Sequence, residues 1–223
     1  MKNNKIIILL LILINIISFS TIFVKAKELP LTNKTIYLDP GHGGVDPGSI
    51  YKDIYEKNIN LNICLILKNE LEKKGAKVYL TRNGDYDLST PNTSTRKKSD
   101  LNNRVRIIND SKADIYISIH LNSTSSKNWH GAQVFYDDIN INNKKIALTM
   151  QEELKKSLNT DREIEEISNM LLNRKITVPG VLIEVGFLSN DNERYLLKQE
   201  IYQKKIAQTI VNGTIKYFEN TNS

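Results

Sequence analysis

Short β-rich runs alternate with longer amphipathic stretches along this chain, and that alternation constrains the fold more than any other feature. Residues 34–39 (KTIYLD), 76–81 (AKVYLT), 114–120 (DIYISIH), 132–136 and 179–184 (PGVLIE) read as strands. Residues 55–74, 101–109, 144–158 and 202–218 read as helices. In the first of these, Leu61, Cys64, Leu65, Lys68 and Leu71 fall on one helical stripe, and Gly75 ends it. Strands separated by helices predict a single α/β domain, a twisted, mostly parallel sheet with helices on both faces. Residues 83–99 are polar and turn-rich, and 160–170 fit neither period.

The first 26 residues do not belong to this pattern. Lys2 and Lys5 precede an apolar run that begins at Ile6, and Val24-Lys25-Ala26 offers a cleavage site. Residues 1–26 are therefore expected to be a signal peptide, or a membrane anchor if uncut, which puts the remainder outside the cytoplasmic membrane. The whole chain carries a net charge of +6; without this segment 28 basic residues face 25 acidic ones, a net +3. That mild excess suits an anionic wall or membrane setting. It argues against nucleic acid, because no basic stripe is interleaved with aromatics. The one cysteine, Cys64, excludes an intrachain disulfide and a zinc ribbon, and its place on the helical stripe marks it as a buried structural thiol.

Metal chemistry must then draw on three histidines, His42, His120 and His130. His42 lies just beyond the first strand, in PGHGGVDPG. His120 closes DIYISIH, Glu184 closes the strand GVLIE, and Glu56 opens the first long helix. In open α/β sheets sites form outside the carboxyl ends of strands, so these four groups are expected to converge. Two imidazoles and a carboxylate form an open zinc set, and a further carboxylate beside them can move protons. Glu184 sits in the apolar run VLIEVGF, where an ionisable group is costly unless it has a partner or a task. Each of these residues alone has an ordinary explanation: a hydrogen-bonded strand-end histidine, or a helix-start glutamate favoured by the dipole. His130, between Trp129 and Gly131, reads as a loop residue.

The motifs LDPGHGG with Asp46-Pro47-Gly48, Glu56-Lys57-Asn58-Ile59-Asn60-Leu61, Leu80-Thr81-Arg82, Leu101 to Arg104 with Asn109, Ala113-Asp114 through Ser118-Ile119-His120-Leu121-Asn122, and Pro179 through Glu184-Val185-Gly186-Phe187-Leu188-Ser189-Asn190 together resemble the zinc-dependent N-acetylmuramoyl-L-alanine amidases of the Amidase_3 type. The likeness covers residues 34–218, the expected catalytic domain. It implies one zinc ion per chain, with His42, Glu56 and His120 as ligands and Glu184 as the catalytic acid/base. It implies a peptidoglycan substrate, cut between the lactyl group of N-acetylmuramic acid and L-alanine. A domain with no wall-binding repeats looks most like the germination-type (CwlD-like) subgroup, which prepares muramic-δ-lactam in the spore cortex; a vegetative or division amidase is the alternative. Family members are often governed by activator proteins, so a partner is expected too. Division members carry an inserted helix over the zinc site; 137–170 is short for one, and a partial plug at 161–170 stays open. Arg82 and Arg104 are candidates for holding stem-peptide carboxylates, with a surface or structural ion pair as the alternative for each; Asn122 is a candidate substrate contact, with a strand-exit turn as its alternative; and Asp39 is a candidate for orienting a ligand histidine. Two rivals stand beside this reading: a zinc peptidase acting within the stem peptide, and a non-catalytic wall-binding scaffold.

Overall fold

The computed structural model describes residues 28–167 and 175–221, so residues 1–26 and part of 161–170 lie outside the described residues. Among the described residues no helix is long and apolar enough to cross a membrane. In chain order the elements are β1 (Thr35–Pro40), β2 (Ile50–Tyr51), β3 (Ile54–Tyr55), α1 (Glu56–Lys73), β4 (Lys77–Leu80), α2 (Arg96–Asp110), β5 (Ile115–Asn122), β6 (Gln133–Tyr136), α3 (Ile141–Ser157), β7 (Glu165–Glu166), β8 (Gly180–Phe187), α4 (Asp191–Leu197) and α5 (Glu200–Thr221).

Six strands form one sheet in the order β4-β1-β5-β8-β6-β7. Strands β4, β1, β5 and β8 run parallel, while β6 pairs antiparallel with β8 and carries the short edge strand β7 parallel to itself. The central strands are buried on both faces, as continuous apolar runs in a covered sheet must be. Ile36, Leu38, Ile117, Ile119, Val181 and Ile183 face one layer, made by Ile63 and Leu67 of α1, Ile146 and Met150 of α3, and Ile206 and Ile210 of α5. Tyr37 and Tyr116 face the other, covered by Val105 and Ile108 of α2 with Ile176 and Val178. Each large aliphatic chain so buried contributes roughly 1.5–3 kcal/mol.

The chain leaves β1 through α1 to β4 on one side, then returns through α2 to β5 on the other side of β1. Crossovers of one hand taken in opposite directions place their helices on opposite faces, which is why α1 and α2 belong to different cores. The direction of winding therefore reverses between β1 and β5, and a crevice opens at their carboxyl ends.

Two sequence expectations shift in detail. The buried stripe of α1 is Ile59, Ile63, Cys64, Leu67 and Leu71, whereas Leu65 is 37% exposed. The helix expected at 101–109 begins a turn and a half earlier, at Arg96. The described part of the ambiguous stretch contributes the edge strand β7.

Candidate metal centre

Four elements meet in the crevice. His42 follows β1 in a left-handed conformation, φ 62°, that a histidine adopts at a cost of about 1–3 kcal/mol. Two buried arginines hold this turn. Arg82 donates from Nε to the Pro40 carbonyl (3.0 Å) and from Nη2 to the carbonyls of Gly41 (2.9 Å) and Lys57 (2.8 Å). Arg104 donates from Nη1 to the Pro40 carbonyl (2.8 Å) and from Nη2 to the His42 carbonyl (2.6 Å). Of the two readings of these arginines, the geometry fits the structural one: each is 1% exposed, Arg82 spends its donors on backbone carbonyls, and Arg104 spends its own on this backbone and on Asp39 and Asp100.

Asp39 also differs from expectation. Its carboxylate accepts from Thr81 Oγ1 (2.6 Å), Arg104 Nη1 (2.7 Å) and Ser118 Oγ (2.8 Å), which leaves it tying β1 to β4, α2 and β5 rather than orienting a histidine. Burial pushes its carboxyl up, but the Arg104 charge and the two hydroxyl donors hold it at about 2. The partner of the His42 ring is Asp46, whose Oδ2 lies 2.9 Å from Nδ1. Asp46 also accepts the Gly48 N–H at 3.1 Å, so the turn fixes the carboxylate that fixes the ring. The sequence offered one sign of this, an acid four residues past the histidine within a Gly/Pro turn.

Glu56 opens α1 and points into the sheet. Its Oε1 accepts the Leu121 N–H at 3.0 Å and the Asn60 amide at 3.2 Å, and its Oε2 accepts the Ser49 N–H at 2.8 Å. The same Oε1 lies 3.2 Å from His42 Nε2 and 3.2 Å from His120 Nδ1. Burial pushes this carboxyl up, yet the hydrogen bonds and charge of His120 and His42 hold it well below the usual carboxylate range. For His42 burial acts downward, and Glu56 and Asp46 together outweigh it, so its pKa is raised. Glycine is required on both sides of the cluster. A Cβ on Gly41 would lie 2.2 Å from His120 Cε1, and one on Gly48, where φ is +66°, would lie 2.6 Å from Glu56 Oε2.

His120 is the register partner of Glu184 across the parallel pair β5–β8, so both side chains leave the same face of the sheet. The ladder slips just beyond, between His120 and Asn122, the kind of irregularity that re-aims side chains beside a site. Glu184 Oε2 is buried without a hydrogen-bond partner among the described residues. Burial first and the Glu56 charge second push its carboxyl up to about 8, with His42 opposing.

The described residues thus bring together His42, Glu56, His120 and Glu184 around one open pocket of about 480 Å³. One nitrogen from each histidine and one Glu56 oxygen lie within 4.8 Å of one another, a donor set and spacing that fit a single divalent ion. Asn122 lines this pocket, as do Ser49, Ser123 and Leu182. So does Lys97, from the first turn of α2. His130 stays outside it, in the loop after β5. Asp161 and Arg162 do not line it either; they border a separate hollow with Trp129.

Comparison with known proteins places the chain among related sequences and structures. The profile of the family described as N-acetylmuramoyl-L-alanine amidase (Amidase_3) matches residues 36–216. The germination-specific N-acetylmuramoyl-L-alanine amidase of Bacillus subtilis (strain 168) is 45% identical over 198 residues, 87% of this chain and 84% of the relative. The probable cell wall amidase LytH of Staphylococcus aureus is 36% identical over 198 residues, 86% of this chain and 61% of the relative. Among solved structures, the CwlD amidase from Clostridioides difficile, in complex with the GerS lipoprotein, superposes with a TM-score of 0.81 at 42% identity, covering 84% of this chain and 100% of that one.

Proposed function

The chain belongs to the Amidase_3 family of N-acetylmuramoyl-L-alanine amidases, hydrolases of peptidoglycan, and from that premise we propose that His42, Glu56 and His120 hold one zinc ion and that Glu184 moves the protons. The observation that carries this reading is the placement of Glu184: a carboxylate with an unpartnered oxygen, in register with one member of a His-Glu-His cluster and outside that cluster.

Bound in the cluster, zinc would supply Lewis acidity to the lactyl carbonyl and lower the pKa of water. Everything else falls to the chain. Asp46 holds Nδ1 of His42 and leaves Nε2 directed at Glu56. Glu56 is itself anchored by the Leu121 and Ser49 N–H groups, so the cluster is preorganised before any ligand arrives. Ionised beside the cation that the cluster would hold, Glu184 accepts a proton from the attacking water as its oxygen adds to the carbonyl carbon. It then returns that proton to the L-alanine nitrogen as the C–N bond breaks, leaving a lactyl carboxylate and a free amine. The apolar walls Leu182 and Leu121 limit water around this carboxyl.

The likeness to the germination-specific relative supports a role on the spore cortex, where removal of stem peptides prepares muramic-δ-lactam. The likeness to the amidase solved with a lipoprotein supports an activator partner of that kind, on the outer side of the cytoplasmic membrane to which residues 1–26 would deliver the chain. A second reading, a vegetative wall amidase, is favoured by the likeness to the probable cell wall amidase.

Digestion of purified peptidoglycan with and without chelator tests the chemistry. The expected products are free L-alanine amino termini with no new reducing ends, abolished by chelation and restored by zinc. Cleavage between stem-peptide residues would make it a peptidase, and no cleavage under any metal or partner condition would make it a scaffold. Cortex from spores lacking the protein should lack muramic-δ-lactam; unchanged lactam content would favour the vegetative reading.

A further inference from the structure

Beside the catalytic pocket lies a second hollow, of about 540 Å³, bordered by Ser126, Asn128, Trp129, His130, Asp161 and Arg162. Trp129 leaves 55% of its surface exposed there. The loop that carries it is held at several points. The Thr124 N–H donates to Ser189 Oγ (3.2 Å), Asn190 Nδ2 donates to the Lys127 carbonyl (2.8 Å), and the Gly131 N–H donates to Glu193 Oε1 (2.9 Å). The other oxygen of Glu193 accepts the Phe187 N–H at 2.7 Å, so one carboxylate ties the Trp129 loop to the end of β8. Arg162 completes the platform. Its guanidinium lies 5.1 Å from the Trp129 ring centre and 4.8 Å from that of Phe187, and it donates to the His130 carbonyl at 2.9 Å. A large aromatic side chain held this firmly, and still wet, is a contact surface rather than a core residue out of place.

The surroundings favour one class of ligand. A flat indole flanked by a carboxylate (Asp161), an amide (Asn128) and a hydroxyl (Ser126) matches a pyranose ring, with C–H groups on its faces and hydroxyl and acetamido groups at its edge. Position agrees. Ser123 lines the catalytic pocket and Ser126 lines the hollow, and the intervening chain spans at most ~10 Å, the reach of a disaccharide. The scissile amide hangs from a sugar through its lactyl group, so a polymeric substrate seated at Glu184 must carry its glycan strand out of the pocket somewhere. We propose that the Trp129 hollow is a saccharide subsite that holds the glycan strand flanking the cleaved muramoyl unit; this rests on the amidase reading above.

Trp129 is the one tryptophan in the chain, so the emission of the intact, zinc-supplemented protein reports on this hollow. Titration with a β-1,4-linked N-acetylglucosamine tetramer is expected to shift that emission saturably. Asp161→Ala, which keeps the reporter, is expected to weaken the binding. Trp129→Ala should raise KM for polymeric peptidoglycan about tenfold, the loss expected of one aromatic contact, and leave hydrolysis of a short muramoyl-peptide unchanged. No saturable shift with the tetramer overturns the subsite, as does the same shift from free stem peptide, or an equal loss on both substrates in Trp129→Ala. In each of those cases turnover of the short substrate still stands as evidence for the amidase, so the two readings fail separately.

Discussion

His120 and Glu184 sit opposite each other in the parallel ladder of β5 and β8, and the register slips immediately past them. Because the pair shares a face, one side chain reaches the His-Glu-His cluster while the other faces the same pocket from the next strand, without joining the cluster. This division of labour depends on strand geometry, not on loop conformation, and it sets the first expectation. Glu184→Gln keeps shape and removes the ability to carry a proton. The variant should bind zinc like the parent and lose at least ~10² in kcat on peptidoglycan. Elemental analysis and product release, measured on the same sample, check both halves; near-normal turnover would remove Glu184 from the chemistry.

Asp46 makes a different forecast. It touches no other member of the cluster, but it fixes the His42 ring through Nδ1. Asp46→Ala should weaken zinc affinity ~10–100-fold, the usual effect of losing a ligand's orienting partner, and excess zinc should restore most of the activity. A chelator competition titration reads the first effect and a zinc-rescue assay the second. Activity lost beyond rescue would mean that Asp46 does more than orient.

How much of this was visible beforehand depends on what each residue needs. The convergence of the four groups was legible from their conjunction, three at strand ends and Glu56 at a helix start, and from the family likeness, because a sheet wound in this order collects strand ends at one crevice. The stripe of α1 was legible only in part: Ile63 and Leu67 are in the core while Leu65 is not, since a helix with apolar residues on most sides does not reveal which side meets the sheet. For the arginines the sequence left two readings open, a substrate contact and a structural ion pair. Arg82 and Arg104 look like surface cations in sequence, and only tertiary packing spends their donors on the carbonyls of 40–42. Lys97, in contrast, is an exposed cation of the α2 start that does line the pocket.

Arg104 accordingly belongs with stability. It is buried between Asp39 and Asp100, at 2.7 and 2.8 Å. Arg104→Ala strands Asp39 as an uncompensated buried charge and should cost ~3–5 kcal/mol of folding stability, readable as a lowered denaturant midpoint. Any KM effect should appear only together with that loss. A stable variant with a raised KM would restore the substrate-binding role.

Asp39 also sets an acid limit. Its carboxyl is held at about 2, below the value of 3.8 for a free aspartate. A group depressed in the folded state favours the fold when ionised. Its contribution is therefore complete above pH ~4 and is lost as pH falls toward 2, ~2 kcal/mol in all. Chemical denaturation at a series of pH values should show this fall in the parent. In Asp39→Asn, already less stable near neutrality, the fall should be shallower by that amount. Equal slopes would place the acid sensitivity elsewhere.

The last expectation follows from removing both arginines from the list of substrate contacts. Among the described residues Lys97 is then the single lysine or arginine lining the catalytic pocket, and stem peptides carry carboxylates. Lys97 is exposed at the start of α2, so its attraction for a carboxylate is screened by water and salt. The effect must be modest: Lys97→Ala should raise KM roughly 2–5-fold with kcat nearly unchanged, in line with an ion pair of ~0.5–1 kcal/mol. Raising ionic strength should shrink the difference between parent and variant, because the parent alone has an interaction left to screen. Kinetics on a soluble muramoyl-peptide at low and high salt separate this from a packing defect, which would lower kcat and ignore salt.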